Sequence, residues 1–181
     1  MKIEVLKPDN LKGDIRSQIE SLKKSCFSDV PEKEIKENFY AVPFATLVAM
    51  SDKTVIGTLS IFKREITFDR RNIVLGGIGA VCVLPRERRK GIGTLMVKKA
   101  MQYLKKQKCD IACLNVDTEK KVYGIYEKVG FVMMNREISF ENIYGKIIKE
   151  KGTMFAPINS KELFNFAMEN SKTFHYGKGY W

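Results

Sequence analysis

The sequence predicts a mixed α/β fold with a mostly antiparallel central sheet, one parallel pair of strands and flanking helices. Three apolar strands follow one another between residues 44 and 84, and the short turns between them give an antiparallel meander. Strand, helix and strand over residues 77–116 then form a right-handed crossover, which joins parallel strands. With 181 residues the chain suits one domain that buries its own core.

The first part of the chain supplies a leading strand, two helices and the meander. Lys2–Leu6 alternates apolar and polar residues and predicts a strand. Residues 8–10 supply a turn and a helix cap, and apolar side chains recur at helical spacing over Leu11–Leu22. A second, short helix follows over residues 29–38. The three strands of the meander are Phe44–Met50, Thr54–Phe68 and Ile73–Leu84.

The next part alternates helices and strands. Gly91–Lys108 carries apolar residues on one face and lysines on the other, which predicts a long helix. Asp110–Val116 is apolar enough to be a buried strand of a parallel pair. A short helix over Glu119–Val129 is stopped by Gly130, and Phe131–Phe140 follows as a strand.

The pattern is weaker beyond Glu141. Ile147–Phe155 is predicted as a strand, and Ser160 caps a predicted helix that runs to Asn170. The chain ends in an aromatic, glycine-rich tail. We therefore assign residues 1–140 to the core and residues 141–181 to a C-terminal strand, helix and tail of the same domain.

The positive charge of the chain is concentrated in one stretch. The net charge is +11, and residues 86–108 hold nine Lys or Arg against one Glu, which gives +8 (nine minus one) in 23 residues. A compact basic cluster beside a turn suits a small polyphosphate, whereas a long nucleic acid duplex favours basic side chains spread over a wider face. Nucleic acid is therefore not the expected partner.

Composition also argues against metal, membrane and secreted classes. No second cysteine or histidine cluster completes a metal site around the four cysteines, and His175 is the single histidine. No apolar run reaches the roughly 18 residues of a membrane span, and the N-terminus lacks the features of a signal peptide. We expect a cytoplasmic protein with free thiols.

The strongest chemical signal lies between the strand ending at Leu84 and the helix starting near Gly91. A helix N-terminus presents free backbone N–H groups and a partial positive charge, which makes it an anion site. Gly91 and Gly93 let a diphosphate approach the main chain closely. The remaining contributions are cationic side chains and a hydroxyl, from Arg88, Arg89, Lys90 and Thr94.

Two other phosphate-binding loops do not fit. A Walker loop requires G-x-x-x-x-G-K-[ST], and the sequence contains no such string. A dinucleotide fingerprint requires G-x-G-x-x-G at the start of a helix, but the run from Gly77 to Cys82 lacks the last glycine and leads into a strand.

The run from Val83 to Leu95 resembles the acetyl-CoA-binding motif of the GNAT superfamily, written R/Q-x-x-G-x-G/A. Residues 88–93, Arg-Arg-Lys-Gly-Ile-Gly, match it at every specified position. Residues 126–131, Tyr-Glu-Lys-Val-Gly-Phe, match a second family signature, Y-x-K-x-G-F. The order of predicted elements also matches over about residues 1–140. Within the superfamily, the run from Gly76 to Val81 resembles the enhanced-intracellular-survival branch.

The resemblance implies an acetyl-CoA-dependent N-acetyltransferase with the GNAT fold. It implies that residues 88–94 hold the pyrophosphate and that the strands 77–84 and 110–116 splay apart to admit the acetyl-pantetheine end. It further implies backbone contacts to the pantetheine arm. The cofactor-binding residues are then Val81, Cys82, Val83, Arg88, Arg89, Lys90, Gly91, Ile92, Gly93 and Thr94.

Acetyl transfer to an amine requires a neutral amine, a stabilised oxyanion and protonation of the leaving thiolate. The resemblance places the general acid at Tyr126, since a phenol stays protonated at neutral pH, and the oxyanion donor at a backbone N–H near Val83. Many family members carry a glutamate before the phosphate loop, but none occurs here between Asn72 and Arg86. A water chain is one candidate base. The C-terminal carboxylate of Trp181 is the other, by resemblance to the branch named above.

Alternative functions remain open at this level. A direct transfer in a ternary complex is the leading hypothesis, because no cysteine occupies a nucleophile position. The missing glutamate permits a non-catalytic acetyl-CoA sensor, and the charge permits an RNA-binding module, although aromatic-interleaved basic strands are absent. The acceptor is a small-molecule or peptide amine. Small proteins of this superfamily often dimerise, so a homodimer is an expectation.

Overall fold

The computed structural model of the chain describes residues 1–118 and 123–181. Its strands are β1 (Lys2–Leu6), β2 (Ala45–Ser51), β3 (Thr54–Phe68), β4 (Arg71–Val83), β5 (Ile111–Asn115), β6 (Val132–Met133), β7 (Ile138–Glu141), β8 (Ile147–Glu150), β9 (Thr153–Pro157) and β10 (Phe174–Lys178). Its α-helices are α1 (Gly13–Cys26), α2 (Glu32–Asn38), α3 (Ile92–Lys106), α4 (Gly124–Glu127) and α5 (Lys161–Glu169). Short 3₁₀ helices cover Pro8–Asn10 and Pro85–Glu87.

The strands form two sheets. The larger has the order β1-β2-β3-β4-β5-β9-β6, and the smaller has the order β10-β7-β8. Within the larger sheet β4 and β5 are parallel, and the other neighbouring pairs are antiparallel. The predicted mostly antiparallel sheet with one parallel pair and flanking helices is therefore confirmed.

The parallel pair separates part of the way along its length. β4 and β5 pair from Leu75 opposite Ile111 to Gly77 opposite Cys113. β4 then continues to Val83 beside no paired residue of β5. A register shift against β3 interrupts β4 at Ala80, whose φ of +49° is in the left-handed region, as in a β-bulge. The two strands thus splay towards their carboxyl ends, and the bulge redirects the last residues of β4.

Helix α3 and helix α1 cover opposite faces of the sheet. Leu47 and Ala49 of β2 belong to the apolar cluster around α3, whereas Val48 between them packs with α1. Alternate residues of a strand face opposite sides, so the sheet lies between the two helices. A third apolar cluster joins the larger sheet to the smaller one and to the C-terminal tail, with Phe140, Phe174 and Trp181 among its members.

Two predicted strands were wrong in extent. The region 131–140 contains β6 and β7, and the region 147–157 contains β8 and β9. In each region one strand joins the larger sheet and the other joins the smaller sheet, so the chain must leave one sheet and enter the other. Gly152 makes the second crossing possible with a φ of +92°, where a Cβ atom would lie 2.6 Å from the carbonyl oxygen of Val116.

Some helix boundaries also differ from the prediction. Residues 8–10 form a 3₁₀ helix and do not cap α1, whose N-cap position is Lys12 without a side-chain cap. The predicted helix 119–129 is observed as α4, and its residues 119–122 lie outside the described residues. The predicted cap of α5 is confirmed, because Ser160 Oγ accepts a hydrogen bond from Leu163 N at 3.1 Å. Across both described ranges, no helix is long and apolar enough to cross a membrane.

Candidate active site

The loop between β4 and α3 has the backbone of an anion-binding turn. Arg89 has a φ of +64° and Gly91 has a φ of +78°, so two left-handed residues turn the chain into the helix. Leu95 N donates to Gly91 O at 3.0 Å as the first amide of the helical ladder. The N–H groups of residues 92–94 therefore precede the helical hydrogen bonds and are left for another acceptor. These groups sit at the positive end of the α3 dipole.

Charged side chains fix the shape of this loop. Arg88 Nε donates to the carbonyl oxygen of Val83 at 3.1 Å, which ties the loop back to the end of β4. Lys90 Nζ pairs with Glu87 at 2.9 Å. Arg89 lies exposed beside them. Ile92 is buried in the α3 cluster, so it offers the site its main chain and not its side chain.

Gly93 is a position where the fold itself has no need of glycine. A Cβ atom built there would meet Ile125 Cδ1 at 3.8 Å and Val83 Cγ2 at 3.9 Å, which are ordinary van der Waals contacts. Its φ is not in the left-handed region, unlike that of Gly91. The absence of a side chain at residue 93 leaves the main chain at the start of α3 open to close approach.

The end of β4 lines the splayed part of the sheet. Val81 and Val83 pack against the α3 cluster, and Cys82 between them faces α1. Burial raises the pKa of the Cys82 thiol, so it stays protonated and is unsuited to nucleophilic attack. Residues 81–83 were predicted to contact the cofactor through their main chain. That main chain has no paired β5 neighbour, so its groups on this side can bind a ligand.

Tyr126 lies in α4 with its ring in the α3 cluster. Its side chain is 7% exposed, and its ring meets that of Phe131 edge to face with centroids 6.3 Å apart. Burial raises the pKa of Tyr126 to about 12, and the nearby Cys82 adds to the shift. The phenol therefore keeps its proton throughout the neutral range, as a proton donor must.

The C-terminal tail returns to the splayed strands. Trp181 is 6% exposed, and its indole stacks on Phe62 with centroids 5.2 Å apart and an interplanar angle of 9°. Its terminal carbonyl oxygen accepts a hydrogen bond of 2.7 Å from Asn115 Nδ2. The amide of Asn115 is itself oriented by Thr153, whose hydroxyl donates to Asn115 Oδ1 at 2.6 Å. The last residue thus lies at the carboxyl end of β5.

The same residue lies directly against the glycines of β4. A Cβ atom on Gly79 would stand 2.9 Å from the carboxyl carbon of Trp181. Gly79 immediately precedes the bulge at Ala80. The structure therefore brings the main-chain carbonyl group of Trp181 to the splayed end of the β4–β5 pair.

The sequence pattern does not single out two residues that meet the tail. Asn115 is a polar residue at the end of an otherwise apolar strand, and this change of polarity is the signal that points to it. Arg64 contacts the tail from the middle of β3, and no motif marks it. His175, by contrast, is exposed on β10 with its Nδ1 3.0 Å from Ser139 Oγ.

Comparison with known proteins gives one family and many related folds. Residues 8–134 match the profile of the family described as Acetyltransferase (GNAT) domain. No curated protein matches the sequence. Similar solved structures include Escherichia coli ElaA, with 14% identity, 86% of this chain and 98% of that chain covered, and a TM-score of 0.61.

Two further structures extend the comparison. A GNAT family acetyltransferase from Brucella melitensis in complex with acetyl-CoA has 20% identity, with 72% of this chain and 83% of that chain covered and a TM-score of 0.51. Eis1 from Mycobacterium abscessus has 15% identity and a TM-score of 0.56, with 76% of this chain covered. This chain spans about a third of Eis1, 32% of its length. At these identities the likeness is one of fold.

Proposed function

The chain belongs to the GNAT acetyltransferase family, whose members use acetyl-CoA, and we propose that it transfers the acetyl group of acetyl-CoA to a primary amine. The observation that carries the proposal is the turn into α3, where the N–H groups of residues 92–94 point out of the helix beside the splayed ends of β4 and β5. When the diphosphate of acetyl-CoA lies at this turn, the pantetheine arm of the same molecule runs along β4. The Brucella melitensis relative in complex with acetyl-CoA supports the choice of donor.

The residues of the turn fit the anionic part of the donor. The main chain of residues 91–94 supplies hydrogen-bond donors, and Arg88 and Arg89 supply positive charge. Gly93 leaves room for phosphate oxygens where another residue would place a side chain. The unpaired edge of β4 at residues 81–83 supplies main-chain groups for the amides of the pantetheine arm.

Tyr126 acts as the general acid in this proposal. The amine nitrogen attacks the thioester carbonyl carbon, and the carbon–sulfur bond breaks as the tetrahedral intermediate collapses. The thiolate of coenzyme A then takes the phenolic proton of Tyr126, a group that burial keeps protonated throughout the neutral range. A main-chain N–H near Val83 holds the oxyanion. The edge of β4 that faces β5 is unpaired there, so such a group is available.

The carboxylate of Trp181 acts as the base, in a chain that ends at this residue. It lies beside Gly79 at the splayed end of β4, with Asn115 as a hydrogen-bond donor. A carboxylate at this place accepts the proton that the acceptor's ammonium group must lose before its nitrogen attacks. The second proton leaves the nitrogen as the tetrahedral intermediate collapses, and it restores the proton that Tyr126 gave to the thiolate. It also replaces the glutamate that β4 lacks between Asn72 and Arg86.

The proposal is tested with a panel of amine acceptors and detection of free thiol, alongside thermal shift with acetyl-CoA. We expect acetyl-CoA to raise the melting temperature and at least one acceptor to release coenzyme A in proportion to acetylated product. Binding of acetyl-CoA without acceptor-dependent thiol release across the panel would favour a non-catalytic sensor. Absence of binding would remove the proposal.

A further inference from the structure

Arg64 makes an unusual set of contacts for a residue in the middle of a strand. It lies in β3 opposite Leu75 of β4, and its guanidinium reaches the returning tail. Nη1 donates to the carbonyl oxygens of Tyr176 at 2.5 Å and Gly179 at 3.3 Å, and Nη2 donates to that of Lys178. Its Cζ atom also lies 4.7 Å from the centroid of the Trp181 ring.

These contacts hold the part of the tail that turns towards the cleft. Gly177 has a φ of +91° and Gly179 a φ of +73°, so the chain bends twice within three residues, once inside β10 and once just after it. The N–H groups of Gly179 and Tyr180 donate to the carbonyl oxygens of Glu141 at 2.9 Å and Asn38 at 2.7 Å. A guanidinium is planar and carries five N–H donors, so it can donate to several carbonyl oxygens at once. Its charge is also attracted to the face of an indole ring. Arg64 therefore binds the carbonyl oxygens of the bent main chain, at Tyr176, Lys178 and Gly179.

The segment held by Arg64 ends at the proposed base. Trp181 lies between Arg64, Phe62 and the glycines of β4, and its terminal oxygen meets Asn115. We propose that Arg64 is a positioning residue, which clamps residues 176–181 so that the carboxyl group of Trp181 stays at the splayed end of β4. This inference rests on the proposed function.

A second arginine provides a matched control. Arg136 donates to three main-chain carbonyls, those of Lys172 at 2.9 Å, Met168 at 3.0 Å and Ala167 at 2.6 Å. These bonds hold the end of α5, a helix that packs against β9 and β5. Arg136 thus repeats the chemistry of Arg64 without touching the tail after residue 172.

The sequence contains one tryptophan, so the position of Trp181 is observed directly by fluorescence. The test compares Arg64→Met, Arg64→Lys and Arg136→Met with the unchanged chain. Tryptophan emission, acrylamide quenching, the melting temperature, the Kd of acetyl-CoA, and kcat and KM for one acceptor are measured for each. Arg64→Lys keeps the charge and loses the planar fork, so it remains informative if Arg64→Met does not fold.

We expect Arg64→Met to shift the emission to longer wavelength, to increase quenching and to lower kcat at least tenfold, with the Kd of acetyl-CoA within twofold. Arg64→Lys should lie between Arg64→Met and the unchanged chain in both emission and kcat. Arg136→Met should lower the melting temperature while emission and kcat stay within twofold.

Three results would overturn the inference. The first is unchanged emission in both Arg64 variants, and the second is a shifted emission with unchanged kcat. The third is an equal loss of kcat in Arg64→Met and Arg136→Met. A chain that fails to bind acetyl-CoA before any substitution contradicts the proposed function instead, and the emission measurement then still shows whether Arg64 holds the tail.

Discussion

The indole of Trp181 lies on the main chain of Gly77, where a Cβ atom would stand 2.3 Å from Cε2 of the ring. A Cβ atom on Gly79 would likewise stand 2.9 Å from the main-chain carbonyl carbon of Trp181 and 3.3 Å from its Cβ atom. The C-terminal tail therefore packs directly on the glycines of β4, and this contact places Trp181 beside the strand that leads to the turn before α3.

Gly77→Ala should displace the tail. The added methyl group occupies the space of the indole, and overpacking of a buried contact costs about 1–3 kcal/mol. We expect a lower melting temperature and a red-shifted emission of Trp181 in the absence of any ligand. Gly124→Ala is the control, because no atom of residues 1–118 or 123–181 lies within 4 Å of the place that its Cβ would take. A native emission spectrum in Gly77→Ala would mean that the tail does not pack on this glycine.

Gly93→Ala should weaken the binding of acetyl-CoA without lowering the stability of the fold. Its Cβ atom has ordinary contacts at 3.8 Å and 3.9 Å, so the melting temperature should change little. The same atom would crowd phosphate oxygens at the helix N-terminus, and the Kd of acetyl-CoA should rise roughly tenfold, or about 1.4 kcal/mol. Acetyl-pantetheine, which lacks the diphosphate, is the control substrate. An equal effect of the substitution on both donors would place the diphosphate elsewhere.

Removing the positive charges of the loop before α3 should weaken the binding of acetyl-CoA and reduce the dependence of that binding on salt. Arg88→Gln with Arg89→Gln removes two cations beside the proposed diphosphate, and hydrogen bonds to charged groups contribute about 1.5–3 kcal/mol each. We expect at least a tenfold higher Kd of acetyl-CoA, measured by calorimetry, and a weaker dependence on salt. Lys105→Gln with Lys106→Gln, at the other end of α3, removes equal charge and should leave the Kd within twofold.

Tyr126→Phe should lower turnover and leave donor binding intact. General acid catalysis contributes roughly 100-fold or more, so kcat should fall by about that factor while the Kd of acetyl-CoA stays unchanged. Tyr123→Phe, three residues earlier and 36% exposed, is the matched control. Equal turnover in Tyr126→Phe and the unchanged chain would remove Tyr126 from the mechanism.

The pH dependence of stability gives an independent check on Tyr126. Its folded-state pKa of about 12 lies above the ordinary tyrosine value of 10.0. Below pH 10 the phenol is protonated in both folded and unfolded chains, and above it the unfolded chain releases the proton first. The free energy of unfolding therefore falls as pH rises from 10 to 12. Urea titrations across this range should show a smaller fall in Tyr126→Phe, and an identical fall would mean that the phenol is not buried.

Changing the chain end at Trp181 should affect catalysis directly. Deleting Trp181 removes the carboxyl group beside Gly79, and adding a glycine after Trp181 moves that group by one residue. We expect both changes to lower kcat at least tenfold at neutral pH, with a smaller loss at alkaline pH, where the acceptor amine needs no base. Turnover that survives both changes would leave a water chain as the route for the proton.

The turn before α3 could be located from the sequence because all its parts are local. The glycines, the cations and the helix start lie within a few residues of one another, and a helix N-terminus binds anions wherever it occurs. Periodicity likewise identified β3, β4 and α3, whose apolar residues repeat with the period of the element. The splitting of residues 131–140 into β6 and β7 was not predictable in this way, since it depends on which of two sheets each half joins.

The amino-acid sequence was enough to identify the family, the order of the main strands and helices, and the turn before α3. The resemblance named Trp181, but only the folded chain showed that it lies against β4, that Asn115 and Arg64 hold it there, and that Gly77 and Gly79 make room for it. The cause is separation along the chain. Arg64 and Tyr176 lie 112 residues apart, and no local pattern encodes a contact between a strand interior and a tail that meet only after the sheet has formed.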